Sequence, residues 1–439
     1  MTAPIRLPPI VRERLENGLR VIVAARGGVP LAAARLVLRG GASLDPGGQA
    51  GLSHLVALAA RRGAGRRSGA QIDHLVEELG ADLGAGVDED ATYFGLSAPS
   101  EALPRCLDVL ADMAGAPTFP AAEVARLRRR EVAALAHDLD EPTVVADRAM
   151  LLATYGGHPY GHPPEGRVRD LSRVRRGDVV ALQRRHYHPG AGILLVVGAV
   201  EGPAVLEQVR RRFGRWPAAG VSSPPLPPPA PPAPVVLVVD KPELTQVQVR
   251  IAGPGYPRRS PDYQAGMVAS AVLGGGFTSR LMEAIRVNRG LSYGVRCRFA
   301  TSGAGGLFFV SSFTKVETVG ELVEVALDEV ARFAEGGPTA EELTRTQSYL
   351  CGLFPLSLET HDQLAERLAD LALFDLDDAE VTEFRERVRA VTAEDCRAVA
   401  RRYFPGASRV VVAVGPARQL RRQLERLGQV RVVSARRVT

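Results

Sequence analysis

Lysine is nearly missing from this 439-residue chain: of its 55 basic residues, only Lys241 and Lys315 are not arginine. Aromatic residues are scarce too, at 5%, with a single tryptophan. A nucleic-acid-binding protein clusters its basic residues and interleaves aromatics. Here arginine is spread along the chain, so the net charge of +6 reads as ordinary surface charge and no nucleic-acid partner is expected. Cysteine is sparse and scattered. Cys106, Cys297, Cys351 and Cys396 form no C-x-x-C pair, which excludes a zinc knuckle and a dithiol redox motif and leaves free thiols in a reducing compartment. No run of about 18 apolar residues occurs, and residues 1–21, MTAPIRLPPIVRERLENGLRV, lack the apolar core of a signal peptide. A soluble, cytoplasmic protein with no membrane partner is expected.

What is present is enough apolar sequence, 46%, for more than one core. The clearest break is PAAGVSSPPLPPPAPPAP, residues 217–234, where so much proline forbids a helix or a central strand and predicts an extended linker. It separates an N-terminal domain, 1–216, from a C-terminal one, 235–439. The two halves repeat. VRRGDVVALQRRHYHPGAGILLVVG (174–198) and VTAEDCRAVARRYFPGASRVVVAVG (391–415) each read as a helix ending in basic and aromatic residues, then proline, then an apolar strand closing on glycine. Asp178 and Asp395 correspond between them. Asn17-Gly18 between alternating flanks predicts a tight hairpin. LGADLGAGVDEDATYFGLSAP and LSYGVRCRFATSGAGGLFFVSSF read as corresponding strand pairs, the second turning at Gly303–Gly306. Helices are predicted over 102–114, 121–138, 317–335 and 339–354. Strand pairs followed by helix runs give an α+β class: two homologous domains, each an antiparallel sheet with helices on one face.

Three first-half segments, ERLENGLRVIV, RGGASLDPGGQAGLSHL and HPYGHPPEG, and one second-half segment, LGGGFTSRLMEAIRVNRGLSYGV (273–295), then point to a family. Through them most of the chain resembles the pitrilysin/insulinase-type zinc peptidases, the inverzincins, in their short two-domain form. The resemblance implies a half-clamshell. Catalytic members carry H-x-x-E-H, in which two histidines at i and i+4 share a helix face and hold Zn²⁺, while the glutamate between them works on the metal-bound water. The matching residues here are His54, Leu55, Val56, Ala57 and Leu58. The first histidine remains; Ala57 stands at the base position and Leu58 at the second ligand position. The third ligand of the family is a glutamate some 75–80 residues on, and the resemblance places it at Ala136, beside His137. No metal is expected in this chain, and His54 reads as a satisfied core histidine.

The family also uses an arginine and a tyrosine seven residues apart, matched here by Arg286 and Tyr293 in IRVNRGLSY. The resemblance places Arg286 at a helix end and Tyr293 at the start of the next strand, both turned to the substrate as oxyanion donors. A chain without H-x-x-E-H that keeps this pair resembles one subunit of a divided peptidase. The expectation is a heterodimer: a homologous H-x-x-E-H partner supplies Zn²⁺, this chain supplies Arg286 and Tyr293, and peptides or unfolded polypeptides are the substrates. No zinc peptidase activity is expected from the chain alone. The alternative is a non-proteolytic structural or peptide-binding member of the family. Other candidates read as structural. His186 and His188, at i and i+2, diverge on a helix; His158 and His162 lie in a Pro/Gly loop; Asp88, Glu89 and Asp90 read as a solvated strand turn; and Gly274–Phe277 lacks the G-K-[ST] of a phosphate loop.

Overall fold

The computed structural model describes residues 4–218, 225–406 and 408–438, so residues 219–224 of the proline-rich linker lie outside the described residues. Residues 225–234 carry no regular structure, as their prolines require.

The chain folds as two compact units that do not follow the contiguous division at the linker. One unit comprises residues 1–135, 163–224 and 354–383; the other comprises 136–162, 225–353 and 384–439. Each half of the sequence therefore contributes a segment to the other half's unit.

The first unit holds β1 (Ile10–Arg14), β2 (Arg20–Ala25), β3 (Leu31–Arg39), the two-residue pair β4 (Gly63–Ala64) and β5 (Arg67–Ser68), β6 (Asp82–Val87), β7 (Ala91–Pro99) and β8 (Gly192–Gly198). Its main sheet has the order β1-β2-β8-β3-β7-β6. The hairpin expected at Asn17-Gly18 joins β1 to β2, and Gly18 takes the positive φ of 94° that the turn needs. The sheet is mixed, not wholly antiparallel: β2 and β8 run parallel, because the chain returns to β8 through a long helical excursion and not through a hairpin.

Alternate residues of β3 and β8, among them Leu36, Leu38, Leu194 and Val196, join one core with the helices Leu52–Ala60, Leu103–Gly115 and Gly202–Phe213. The expectation of helices on one face only does not hold. The residues between, such as Ala33, Val37, Ile193 and Leu195, are buried as well, because the helix His361–Leu373 packs on the opposite face of β3 and β8. That helix buries Leu364, Leu368, Leu371 and Leu373. Thr360 caps its start, accepting from the Gln363 amide in a capping box. At its end Arg20 and Arg39 both donate to the Ala372 carbonyl, at 3.1 and 2.9 Å, and to Asp375, at 2.8 and 2.7 Å.

The second unit repeats this plan with β9 (Val235–Asp240), β10 (Gln246–Pro254), β11 (Val295–Thr301), β12 (Gly306–Lys315), β13 (Val410–Gly415) and β14 (Val430–Ser434), in the order β11-β12-β10-β13-β9-β14. It differs at one edge, where β14 pairs parallel to β9 while β1 pairs antiparallel to β2. The helix Pro142–Tyr155 covers one face of β10 and β13, burying Val145, Ala146, Ala149 and Met150. It is tied there by Arg250 to Asp147 at 2.6 Å; Arg148, also buried, holds Asp138 at 2.6 Å. The expected helices appear at Leu103–Gly115, Ala121–His137, Val319–Gly336 and Ala340–Leu353. The repeated aspartates prove to be N-terminal caps: Asp178 accepts from the Arg175 amide at 2.7 Å and Asp395 from the Thr392 amide at 2.8 Å.

Candidate functional site

The segment that the resemblance aligns with the zinc motif, His54 to Leu58, lies on the helix Leu52–Ala60. Its N-terminus is set by Asp45, whose carboxylate accepts from the Gly51 amide at 2.6 Å and the Ser53 amide at 2.7 Å. Gly51, at φ 94°, and Gly166, at φ 88°, sit back to back; a Cβ on Gly166 would come within 2.1 Å of the Ala50 carbonyl oxygen. Close backbone approach thus explains the glycines of QAGLSHL and PPEG together. His54 and Leu58, one turn apart, share the less buried face of the helix, whereas Ala57 is fully buried among apolar side chains.

His54 is not a core residue. Its side chain is 16% exposed, and its Nε2 lies 3.4 Å from an oxygen of Glu131, on the helix Ala121–His137. The hydrogen bond from His54 lowers the Glu131 pKa against the opposing effect of burial, and Arg130, at 2.7 Å, adds to the lowering. Ala136, the position assigned to the third ligand, is exposed and five residues further along, on another face of the helix. The residue that meets His54 is therefore Glu131, 77 residues on and inside the spacing window that the resemblance implied. His137 pairs with Asp140, at 3.6 Å. Among the described residues no cluster of three His, Cys, Asp or Glu side chains can hold a metal. One imidazole and one carboxylate, with Leu58 at the second ligand position and Ala57 at the base, do not fit a zinc site, which needs at least three protein donors.

The Arg/Tyr pair forms in the second unit. Arg286 lies in a π-helical turn, Met282–Val287, a geometry that recurs at functional sites. Tyr293 stands two residues before β11, in the loop and not at the head of the strand. That loop is pinned from β12: Thr314 Oγ1 donates to the Leu291 carbonyl at 2.7 Å and Ser312 Oγ to the Gly294 carbonyl at 2.9 Å. Ser292 is buried and also donates to the Gly294 carbonyl, so the backbone on both sides of Tyr293 is held while its side chain, 74% exposed, projects outward. The Arg286 guanidinium carbon lies 4.5 Å from the centroid of the Tyr293 ring and 5.6 Å from that of Phe277. Two aromatic rings thus orient one cation, an arrangement worth about 0.5–1 kcal/mol per ring at exposed sites.

Phe277, also 74% exposed, is the member of this cluster that sequence reasoning did not assign; its position in GGGF was the available signal. Of the glycines before it, Gly274 serves close packing, since a Cβ there would lie 2.8 Å from the Cys297 amide nitrogen, whereas a Cβ on Gly276 would meet nothing within 4 Å. The loop after it is fixed by Arg280, which grips Glu342 through two contacts of 2.7 Å and also donates to the Gly337 carbonyl. Burial raises the Glu342 pKa, but Arg280 and the Thr339 amide outweigh it and hold the carboxylate ionised.

The remaining sequence candidates are structural. His158 accepts from the Tyr160 amide and contacts the Pro227 carbonyl. Burial lowers the His186 pKa, and His188 is buried. Asp88 is no solvated turn residue: it is partly buried and accepts from Tyr93 Oη and from the amides of Asp90 and Ala91, which closes the β6–β7 turn. All four cysteines are free and buried, and burial pushes the Cys106 thiol up to about 11 and the Cys396 thiol up to about 12. No described helix is long and apolar enough to cross a membrane.

Comparison with known proteins agrees with this architecture. Residues 20–165 match the family described as Insulinase (Peptidase family M16), and residues 173–350 match the Peptidase M16 inactive domain. An uncharacterized zinc protease of Streptomyces coelicolor is 26% identical over 397 residues, covering 89% of this chain and 86% of its own. The mitochondrial-processing peptidase subunit beta of Bos taurus is 26% identical over 419 residues, covering 92% of this chain and 84% of its own. Among solved structures, a peptidase M16 inactive domain from Pseudomonas fluorescens superposes with a TM-score of 0.88 at 24% identity, covering 93% of this chain and 98% of that one. A protease from Helicobacter pylori superposes with a TM-score of 0.85 at 20% identity, covering 93% and 100%. These two likenesses establish the fold.

Proposed function

The chain belongs to the pitrilysin/insulinase peptidase family, M16, and on that premise we propose that it is the non-catalytic, activity-supporting subunit of a heterodimeric zinc endopeptidase. The observation that carries this reading is a contrast between the two halves of the chain. On the helix Leu52–Ala60, Ala57 and Leu58 stand where metal hydrolysis needs a base and a ligand, whereas Arg286, partly buried, lies against the exposed ring of Tyr293. An H-x-x-E-H homologue is the partner, and it supplies the Zn²⁺ that polarises the scissile carbonyl and activates water.

This chain's own contribution is hydrogen-bond donation. A guanidinium stacked on a ring keeps its N–H edge free, and a phenol in a pinned loop presents its O–H without a search. Both groups donate to the carbonyl oxygen of the peptide as it gains negative charge. Because they are held before substrate arrives, they stabilise the charged state more than the neutral one, which is the condition for raising kcat. Peptides and unfolded polypeptides are the substrates. That the bovine relative is by name one subunit of a peptidase supports a divided enzyme.

The test is to assay the chain alone, and then co-expressed with an H-x-x-E-H homologue. Zinc-dependent peptide cleavage only in the pair is expected. Cleavage by this chain alone would overturn the proposal. Stable assembly with no cleavage in any pairing would favour the non-proteolytic, structural or peptide-binding alternative.

A further inference from the structure

The edge strand that follows Tyr293 carries charge of one sign. β11 ends its sheet, and among the described residues its outer edge pairs with no strand. Arg296 and Arg298 alternate along it with Val295, Cys297 and Phe299, so both arginines stand on one face, and both are exposed. Their cross-strand neighbours are Ser311 and Phe309 of β12. Further along that face of β12 come Phe313 and then Lys315, which is exposed and opposite Gln246. Among the described residues, Arg296, Arg298 and Lys315 make no ion pair; Arg298 lies over the Phe309 ring, 5.3 Å from its centroid. Asp147, on the helix that covers part of this face, is committed to Arg250 at 2.6 Å.

The basic edge is not a requirement of the fold. Its counterpart in the first unit, β6, reads DLGAGV, carries no basic residue and leads into Asp88, Glu89 and Asp90.

We infer that this edge binds acidic peptides: an extended segment adds to β11 through main-chain hydrogen bonds and presents Asp or Glu at alternate positions to Arg296 and Arg298. Side chains on one face of a strand recur every two residues, about 6.6–6.8 Å, on both the peptide and β11, so the two sets of charges stay in step. The strand begins two residues after Tyr293, so the same segment continues toward the Arg286–Tyr293 pair. The inference deepens the reading of that pair as a peptide-handling site by naming the class of peptide. An open strand edge favours a peptide over a nucleic acid, which has no amide ladder to offer it.

The experiment uses the full chain without a partner, so that binding is read apart from catalysis. Fluorescence anisotropy would measure a short labelled peptide with glutamate at alternate positions, beside versions carrying glutamine or lysine there. The glutamate peptide should bind about tenfold tighter than the glutamine one, the sum of two exposed ion pairs, and the difference should shrink with added salt. Charge reversal, R296E/R298E, should transfer the preference to the lysine peptide. The milder R296Q/R298Q should abolish the preference without reversing it, and R418E/R422E, two exposed arginines on the helix Ala417–Leu424, should leave it intact. Equal binding of the glutamate and glutamine peptides would overturn the inference. So would loss of the preference in R418E/R422E, or displacement of the peptide by an equal concentration of single-stranded oligonucleotide, which would mark a nucleic-acid surface. If charge-selective binding holds and no pairing yields cleavage, the acidic-peptide site stands and the divided-peptidase reading falls.

Discussion

Two substitutions at Arg286 and Tyr293 separate transition-state donation from mere binding. In the paired enzyme, Arg286→Ala is expected to lower kcat by about 10²-fold, the usual cost of losing one oriented oxyanion donor, with KM changing little. Tyr293→Phe keeps the ring that orients Arg286 and removes only the O–H, so it should also act on kcat; steady-state kinetics on both variants checks this. An unchanged kcat in both would remove the donor role. In the first half, Ala57 and Leu58 were assigned to the base and second-ligand positions by the resemblance, which aligns His54 with the first histidine of H-x-x-E-H. Glu131 was not legible, although its distance from His54 lay inside the expected window. Spacing along a chain says how far a helix residue lies from His54 but not which face the helix turns inward. That rotation is set by where Val124, Leu127 and Leu135 pack, and it brings Glu131 to His54 while leaving Ala136 exposed.

Besides their buried faces, the helices are secured at their ends, where their unpaired backbone groups concentrate. Asp45 satisfies two amides at the start of the helix Leu52–Ala60, and Asp45→Ala should cost about 1–2 kcal/mol of stability, read from urea unfolding. The helix His361–Leu373 makes a sharper test at its other end. Burial raises the Asp375 pKa, but Arg39 and Arg20 outweigh it and hold the carboxyl below its ordinary value. A carboxyl with a lowered folded pKa contributes stability above its unfolded pKa of about 3.9 and loses that contribution as pH falls through the folded value. Asp375→Asn should therefore be less stable than the native chain near neutrality and approach it below about pH 3. Unfolding midpoints measured across that range check the sign. Helix spans and the correspondence of Asp178 with Asp395 could be read from periodicity and repeat matching, because both are local; that these aspartates cap helices came from the structure. The parallel pairing of β2 with β8 could not, because it depends on where a strand some 170 residues later returns.

The units trade segments, and this has a consequence for any attempt to divide the chain. A fragment cut at the proline-rich linker, residues 1–216, lacks the helix His361–Leu373, so Ala33, Val37, Ile193 and Leu195 lose their cover. Residues 235–439 likewise lack the helix Pro142–Tyr155. Each buried leucine of the helix His361–Leu373, like Val145 and Met150 of the helix Pro142–Tyr155, is worth about 1.5–3 kcal/mol, so neither fragment should fold stably by itself. Expressed apart, the two should bind a hydrophobic dye and aggregate; expressed together, they should recover cooperative unfolding. Two independently stable fragments would show that the traded helices are dispensable. For the intact chain alone, chelation should leave the melting temperature unchanged, since His54 and Glu131 do not make a zinc site. A drop in Tm on adding chelator would contradict that.

The α+β class and the correspondence of the two halves could be read from residue order, because both rest on local periodicity; the places of the zinc motif and of the Arg/Tyr pair came from the resemblance to the family. Three things required the folded molecule. Each sheet is covered on its second face by a helix from the other half of the sequence; Glu131 and not Ala136 faces His54; and Phe277 joins Tyr293 around Arg286. All three depend on contacts between residues far apart in the chain or on the rotation of one element against another. Side-chain packing settles these, and a one-dimensional pattern does not encode them separately.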